Sequence, residues 1–263
     1  MHTTTSNLAI TPLSAFEDNY IWCIEEPKFD GFIVVDPGDA QVVIEHAIKI
    51  QKNLSAILVT HHHADHTGGI AALVDHFGEL AVHGPADSPY PGLTHKVKED
   101  DKVDIFGADF TVIEVPGHTL DHIAYYNKHY GLLFCGDTLF LAGCGRVFEG
   151  TPAQMHHSLS KLMALPAMTK AYPTHEYSLA NLEFAMTVDG DNEALRLAQK
   201  MCQEIRDDNE VTLPTRLAQE SAINPFVRTH DKAVIASAER YKGQALASAD
   251  EVFAALREWK NSF

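Results

Sequence analysis

The sequence predicts an α/β domain, with helices packed on mixed sheets, followed by a smaller all-helical domain. In the first two thirds of the chain, short runs rich in β-branched and aromatic residues alternate with amphipathic stretches and turn signals. After about residue 176, helical patterns follow and no convincing strand is found. We therefore predict a boundary between residues 1–175 and residues 176–263.

The elements of the first domain can be predicted in chain order. Strands are predicted over residues 20–24 and 32–35, and the second ends at the turn signal Asp36-Pro-Gly. Apolar residues at helical spacing predict helices over 42–50 and 70–77. Between these helices, the continuous apolar run 56–59 is typical of a strand covered on both faces. Three further strands are predicted over residues 110–115, 122–126 and 132–135.

The second domain contains helical patterns over residues 179–188 and 193–206. A last helix has its own start signal, because Ser248 and Glu251 are spaced as in a capping box. Its apolar residues, Val252, Phe253 and Leu256, lie on one side. We find no internal repeat or long linker in the sequence.

Composition excludes several classes of partner. The chain has 263 residues, 45% of them hydrophobic, and a formal net charge of −16, as expected for a globular protein that nucleic acids and anionic membranes would repel. An anionic small substrate would need a local positive site. The four cysteines form no CxxC pair, and neither a signal-type N-terminus nor an apolar stretch of membrane-spanning length is found. We therefore expect a cytoplasmic protein with reduced thiols.

A histidine-rich segment follows the predicted buried strand 56–59. Residues 60–69 read Thr-His-His-His-Ala-Asp-His-Thr-Gly-Gly. Residues two apart in an extended loop point the same way, so His61 and His63 can bind one metal ion, and His62 should point away. Asp65 and His66, which lie past a local bend, can then bind a second ion.

Three more metal-type residues, His118, Asp137 and His175, follow later strands or turns. We hypothesise that His118 completes the first ion's ligands, that His175 joins Asp65 and His66 at the second, and that Asp137 bridges both. Imidazole and carboxylate ligands suit zinc, iron and manganese alike. Two such ions can activate a shared water at neutral pH, and their charge outweighs that of two aspartates and one hydroxide. The site is thereby predicted to be a cationic pocket that suits an anionic substrate.

Four short segments carry a family resemblance: THHHADHTGG, and downstream PGHT, CGDT and HEY. Together they resemble the metallo-β-lactamase superfamily. Within it, the chain is similar to the glyoxalase II (hydroxyacylglutathione hydrolase) family along nearly its whole length, including FEDNYIW at residues 16–22 and GCGR at 143–146. The resemblance implies an αββα sandwich joined to a C-terminal helical domain. It also implies hydrolysis of S-D-lactoylglutathione to glutathione and D-lactate, the second step of methylglyoxal detoxification.

The resemblance also implies roles for individual residues. All of the family's metal ligands are matched, at His61, His63, Asp65, His66, His118, Asp137 and His175. Of these, His61, His63, Asp65 and Asp137 are the expected catalytic residues, and the expected cofactors are two divalent ions, Zn²⁺ first, with iron or manganese as alternatives. Glutathione-contacting positions are matched at Arg146, Tyr177, Arg257 and Lys260, whereas Phe148 stands where many relatives carry tyrosine.

For the reaction, we expect a metal-bridging hydroxide to attack the thioester carbonyl. A leaving thiol with a pKa of about 8.5 can depart as thiolate, so no separate general acid is required. Two alternatives remain: a glutathione persulfide dioxygenase of the same superfamily, which lacks the long helical tail, and a non-catalytic metal-binding module. Glu176 could support the metal site or be solvated. We expect a monomer with no nucleic-acid or membrane partner.

Overall fold

The computed structural model describes residues 8–263 and confirms the predicted fold class. Two six-stranded sheets pack face to face, helices cover their outer faces, and the C-terminal third is mainly helical. Residues 1–7, which include the start of the chain where no signal-type segment is found in the sequence, lie outside the described residues.

The first sheet has the strand order β1-β2-β3-β4-β5-β6. Its strands are Ala9–Ala15, Asn19–Glu25, Gly31–Val35, Asn53–Leu58, Ala81–Pro85 and His95–Val97. The first three pair antiparallel and the last four, β3 to β6, pair parallel. Its outer face is covered by α1 (Ala40–Ile50) and α3 (Ile70–Phe77), with the short α2 (Ala64–Thr67) between them in the chain. Asp39 caps α1 by accepting a hydrogen bond from the Gln41 backbone N–H.

The second sheet has the order β14-β13-β10-β9-β8-β7. In chain order its strands are Lys102–Ile105, Ala108–Glu114, Ile123–Asn127, Leu132–Gly136, Lys170–Pro173 and Thr215–Arg216. Strands β10 and β13 are parallel, and a separate two-stranded hairpin, β11 (Leu139–Phe140) and β12 (Gly143–Cys144), follows β10. The prediction that no strand follows residue 176 is wrong, because β14 pairs with β13. A strand of two residues is too short to show a periodic pattern.

The remaining helices are α4 (Pro152–Met163), α5 (Ser178–Asp189), α6 (Glu193–Asp207), α7 (Leu217–Ile223), α8 (Lys232–Lys242) and α9 (Ala249–Ser262). Ser248 caps α9 by accepting from the Glu251 N–H. The Glu251 carboxylate accepts from Ala247 N–H, one residue before the position that a capping box requires, so only half of the predicted box forms.

Buried apolar side chains form three layers. One fills the space between the sheets and includes Trp22, Phe110 and Phe134. A second lies between the first sheet and α1 and α3. The third joins the outer face of the second sheet to α4 and the C-terminal helices, with Phe184 and Phe253 in the same cluster as β9 and β10 residues. The C-terminal helices therefore cover part of the sandwich.

Two further predictions can be compared with the described residues. Within residues 8–263, no helix is long and apolar enough to cross a membrane. The four cysteines, Cys23, Cys135, Cys144 and Cys202, are buried and unpaired.

Candidate metal centre

The candidate metal-binding residues follow the carboxyl ends of strands from both sheets. His61 comes shortly after β4, Asp137 directly follows β10, and His175 lies two residues beyond β13. The loop between β8 and β9 contributes His118. β10 and β13 are parallel, so Asp137 and His175 lie at the same edge of the second sheet, and the segment that follows β4 contacts them there.

The structure brings all seven predicted residues together, and we call them the donor cluster: His61, His63, Asp65, His66, His118, Asp137 and His175. Three groups have donor atoms within 4.8 Å of one another: His61, His63 and His118; His61, His66 and Asp137; and Asp65, His66 and His175. The first and third are the two sets hypothesised for the two ions.

Asp137 lies between these two sets. One of its carboxylate oxygens is 3.5 Å from His118 Nε2 and 3.3 Å from His175 Nε2, and the other is 3.6 Å from His66 Nε2. His63 Nδ1 is 3.1 Å from His61 Nε2 and 3.0 Å from His118 Nε2. The lone pairs of several imidazole nitrogens and carboxylate oxygens are therefore close together.

Outward-facing ring nitrogens are held by partners outside the cluster. The Nδ1 atoms of His66 and His175 lie 3.0 Å and 2.8 Å from the carboxylates of Asp36 and Asp18. His118 Nδ1 bonds to the Arg146 carbonyl oxygen at 2.8 Å. These contacts direct Nε2 of each ring into the cluster, which is the usual arrangement of metal-binding histidines.

Two buried atoms of the cluster show that the residues fit metal ions. His66 Nε2 and Asp137 Oδ1 have no hydrogen-bond partner. Buried polar atoms are normally satisfied, and a cation between these two would satisfy both. Imidazole and carboxylate donors suit divalent transition ions. With the fold, the three donor groups indicate a binuclear metal site.

Burial and negative charge have opposite effects on the pKa values of the cluster's histidines: burial lowers them, and the nearby carboxylates raise them. Burial lowers the pKa of His61 well below its usual value, so this imidazole is neutral. Burial acts in the same direction on His175, but the negative charge of Asp137 outweighs it and raises the pKa of His175 to about 10. The site therefore attracts positive charge.

Several residues that support the donor cluster cannot be recognised from the sequence. Asp36 accepts from Thr60 N–H and Thr60 Oγ1–H, both at 2.7 Å, besides contacting His66. Asn19 Nδ2 donates to Asp65 at 3.1 Å, and His122 Nε2 accepts from Asp137 N–H at 3.1 Å. In the sequence, Asp36 is recognisable only as part of a turn signal. Asp18 and Asn19 lie within FEDNYIW, which indicates a family resemblance but no contact with the metal-binding residues.

His62 points away from the donor cluster, as predicted from the alternation. Its Nδ1 is 2.9 Å from Asp121 Oδ1 and its Nε2 is 3.3 Å from Glu149 Oε1. Glu149 also accepts from Leu120 N–H. His62 therefore links the histidine segment to the two loops that carry His118 and Phe148.

A cavity of about 740 Å³ opens onto the donor cluster. All five predicted substrate-binding residues line it: Arg146, Phe148, Tyr177, Arg257 and Lys260. The Tyr177 ring stacks on His175 with centroids 4.7 Å apart, and Phe148, which is 60% exposed, lies 5.3 Å from the His118 ring. The cavity therefore combines aromatic surface, donor residues and cations.

The three cations of the cavity differ in their surroundings. Arg257 is 7% exposed, and its guanidinium donates to the Cys144 carbonyl oxygen at 2.8 Å. Lys260 Nζ donates to the Ala180 carbonyl oxygen at 2.7 Å. Burial, together with the neighbouring charge of Arg257, lowers the pKa of Lys260 to about 8. Together with Arg146, these side chains place positive charge in a protein whose net charge is −16.

The hairpin Leu139–Cys144 forms one wall of the cavity and is held by residues of the C-terminal third. Asn224 Nδ2 donates to Gly143 O at 2.9 Å, and Asn181 Nδ2 donates to Leu141 O at 3.2 Å. The buried Glu220 carboxylate accepts from Ala142 N–H at 2.8 Å. Ala142 has a φ of 53°, in the left-handed region, so this turn depends on such support.

Glu176 is neither solvated nor part of the donor cluster. Its carboxylate accepts from Tyr20 O–H, Thr212 N–H and Thr212 O–H at 2.5 to 3.0 Å. It therefore connects β2 to the loop before β14, next to His175.

Two family profiles match adjacent parts of the chain, and curated relatives match nearly all of it. The profile of the metallo-beta-lactamase superfamily matches residues 19–175, and the profile "Hydroxyacylglutathione hydrolase C-terminus" matches residues 176–263. A hydroxyacylglutathione hydrolase of Pseudomonas aeruginosa (strain LESB58) is 48% identical over 258 residues, which are 97% of this chain and 100% of the relative. That of Vibrio parahaemolyticus serotype O3:K6 (strain RIMD 2210633) is 49% identical over 257 residues, with the same coverage of both chains.

Solved structures show the same fold at lower identity. ETHE1 from Myxococcus xanthus gives a TM-score of 0.65 at 22% identity, over 97% of this chain and 99% of that chain. BLEG-1 B3 metallo-beta-lactamase gives 0.63 at 21% identity, over 84% and 99%. TTHA1623 in a di-iron-bound form gives 0.58 at 24% identity, over 83% and 99%.

Proposed function

The chain belongs to the hydroxyacylglutathione hydrolase family of the metallo-β-lactamase superfamily, and from this premise we propose that it hydrolyses S-2-hydroxyacylglutathione thioesters, such as S-D-lactoylglutathione, to glutathione and the hydroxy acid. The observation that carries the proposal is the convergence of seven donor residues at a cavity lined by three cations. Glutathione carries carboxylates, and a cationic cavity complements them.

We propose that the donor cluster holds two divalent ions and that the preferred metal is Zn²⁺. His61, His63 and His118 would bind one ion, Asp65, His66 and His175 the other, and Asp137 would lie between them. When bound, such a pair lowers the pKa of a shared water and polarises a carbonyl oxygen. Asp18 and Asp36 hold the His175 and His66 rings, so that each presents Nε2 inward.

The remaining residues bind the substrate and exclude water. Arg146, Arg257 and Lys260 would contact the glutathione carboxylates, while Tyr177 and Phe148 would cover its apolar surface. The thiol leaving group, with a pKa of about 8.5, departs as thiolate and needs no proton from the protein. An amide nitrogen would need one, so thioesters suit this site better than amides or β-lactams.

The two alternative functions are not favoured. The relatives that match over nearly the full length are named hydroxyacylglutathione hydrolase, which speaks against a persulfide dioxygenase. A non-catalytic module would not need a complete set of seven donors at the base of a cavity.

The experiment measures S-D-lactoylglutathione hydrolysis and metal content on the same purified sample. We expect His63→Ala and Asp137→Asn to lower kcat/KM more than a hundredfold, since each removes one ligand. His62→Ala is the matched control from the same histidine run, and it should retain far more activity. Activity of His63→Ala within tenfold of wild type would contradict the ligand assignment. Oxygen consumption with glutathione persulfide, without thioester hydrolysis, would favour the dioxygenase.

We further propose a cytoplasmic monomer. Four buried, unpaired thiols suit a reducing compartment. Light scattering on the purified protein tests the monomer, and a mass of twice that of the chain would contradict it.

A further inference from the structure

A second group of metal-type residues lies on the outer face of the first sheet, away from the donor cluster. Cys23 and Glu25 are two residues apart on β2, so both side chains point towards α1. His46 projects from α1 to meet them. One donor atom from each residue lies within 4.8 Å of the other two, and we call these three residues the Cys23 cluster.

His46 Nε2 is the common point of this cluster. It lies 3.4 Å from Cys23 Sγ and 3.8 Å from Glu25 Oε1. A hydrogen bond from the thiol accounts for the first contact. The second is too long for a hydrogen bond, although the carboxylate oxygen faces the same nitrogen atom. Hydrogen bonding therefore explains only the shorter of the two contacts.

A metal ion accounts for both separations. Zinc–sulfur bonds of about 2.3 Å and zinc–nitrogen or zinc–oxygen bonds of about 2.0 to 2.2 Å place neighbouring ligands roughly 3.4 to 3.6 Å apart in a tetrahedron. The sulfur–nitrogen distance of 3.4 Å lies within this range, and the nitrogen–oxygen distance of 3.8 Å is slightly longer. A small adjustment of Glu25, whose side chain is 20% exposed, would close the difference.

We propose that Cys23, Glu25 and His46 form a third metal site, which binds one zinc-class divalent ion through a thiolate, a carboxylate and an imidazole, with water in the fourth position. These three ligand types suit zinc or cobalt(II) and disfavour magnesium or calcium. The thiolate and the carboxylate together neutralise the charge of the ion. The site would fix α1 to β2.

Lys52 would compete with a bound metal ion for the Glu25 carboxylate. Its Nζ lies 3.3 Å from Glu25 Oε2, on the other oxygen of the same carboxylate. An ion bound at the Cys23 cluster would replace this ammonium as the main partner of Glu25. Removal of the ammonium should therefore tighten metal binding.

The site is separate from the donor cluster. Asn19, at the start of β2, contacts Asp65, and Cys23 lies four residues further along the strand, or about 13 Å at 3.3 Å per residue. The donor cluster contains nitrogen and oxygen ligands but no sulfur. The proposal therefore does not depend on the thioesterase activity.

The absence of sulfur from the donor cluster gives a direct test. The purified full-length protein is loaded with cobalt(II), and its near-ultraviolet spectrum and cobalt content are measured. We expect an intense thiolate-to-cobalt charge-transfer band. Cys23→Ser should lose this band and one cobalt ion per chain, whereas Cys202→Ser, which changes another buried cysteine, should keep both. Both variants should keep thioester hydrolysis within twofold of wild type.

Two more variants make the test independent of the folding of Cys23→Ser. His46→Gln should also lose the band, and Lys52→Ala should bind the third cobalt ion several-fold more tightly. No thiolate band in wild-type protein with a filled donor cluster would overturn the proposal, as would a band that persists in Cys23→Ser. If the wild-type protein shows the thiolate-to-cobalt band but does not hydrolyse the thioester, the result would count against the proposed function alone.

Discussion

Asp36 does not line the cavity, yet its carboxylate holds both Thr60 and the His66 ring. It fixes the start of the histidine segment and the direction of one donor. Supporting contacts of this kind usually change metal affinity by 10- to 100-fold.

We expect Asp36→Ala to weaken metal binding by about 10- to 100-fold, measured by competition with a chelator. Asp39→Ala is the matched control, since Asp39 caps α1 and contacts no member of the donor cluster. It should cost about 1 kcal/mol of stability and leave metal affinity unchanged. Equal metal affinities of the two variants would contradict the role of Asp36.

Lys260 predicts a pH effect on substrate binding. Its pKa is lowered to about 8, first by burial and then by the charge of Arg257, so the ammonium loses its proton as the pH rises through 8. We expect KM to rise several-fold between pH 7 and pH 9 while kcat changes less. Lys260→Arg keeps its charge over this range and should flatten the KM profile. Parallel KM profiles for the two proteins would count against a contact between Lys260 and substrate.

At the residue scale, the sequence predicts the donor residues better than their supports. His61 and His63 can be predicted because alternation along an extended segment places both on one side. Asp18 could not be predicted as the partner of His175, because the two are 157 residues apart and are brought together by long-range contacts such as the isolated bridge between Asn19 and His175. Long-range pairings of this kind leave no local pattern.

At the scale of elements, the hairpin Leu139–Cys144 depends on side chains from the C-terminal third. Asn224→Leu removes the donors to Gly143 O and Glu220. We expect the free energy of unfolding to fall by about 3 kcal/mol, because buried acceptors lose their partners. KM should rise more than kcat falls, since the hairpin leads into Arg146. Ser221→Ala, an exposed change on α7, should alter neither quantity, and a similar loss of stability there would weaken this interpretation.

Glu220 makes the same region sensitive to pH. Burial raises its pKa from 4.5 to about 7, so the charged form is disfavoured in the folded protein. The contribution of this carboxyl to stability is complete below pH 4.5 and is lost as the pH rises through 7. Glu220→Gln can keep the bonds to Ala142 and Thr215, and its stability relative to wild type should increase by about 3 kcal/mol between pH 4.5 and 8. Denaturant unfolding at several pH values measures this, and a constant difference would contradict it.

Elements with a clear period can be predicted, and very short ones cannot. The strand predicted over residues 20–24 and the helix over 70–77 lie where the structure has β2 and α3. Strands β6 and β14, of three and two residues, form because a neighbouring strand edge is free to pair. That edge is a property of the assembled sheet, so the local sequence does not reveal it.

At the scale of the whole molecule, the C-terminal third shares a core with the second sheet. Removal of residues 177–263 would expose the apolar side chains of β9, β10 and α4 that now pack against Phe184 and Phe253. We expect the truncated chain to aggregate or to lose its near-ultraviolet circular dichroism and cooperative unfolding. A soluble, cooperatively folded fragment with unchanged KM would contradict this and the binding roles of Arg257 and Lys260.

The change of pattern near residue 176 predicts a boundary in the sequence, but it does not predict how the two parts pack. The amphipathic side of α9 indicates that it is covered, not what covers it. Only the structure shows Arg257 reaching the carbonyl of Cys144, which lies 113 residues earlier.

This contact has a consequence for biosynthesis. On the ribosome, strands β1 to β13 are synthesised before the C-terminal helices, and the cavity gains its last two cations only once Ala249–Ser262 has emerged and docked. Until then the nascent enzyme has no complete binding site for its thioester. Translation that stops before this helix should therefore yield a product that is inactive and a target for proteolysis.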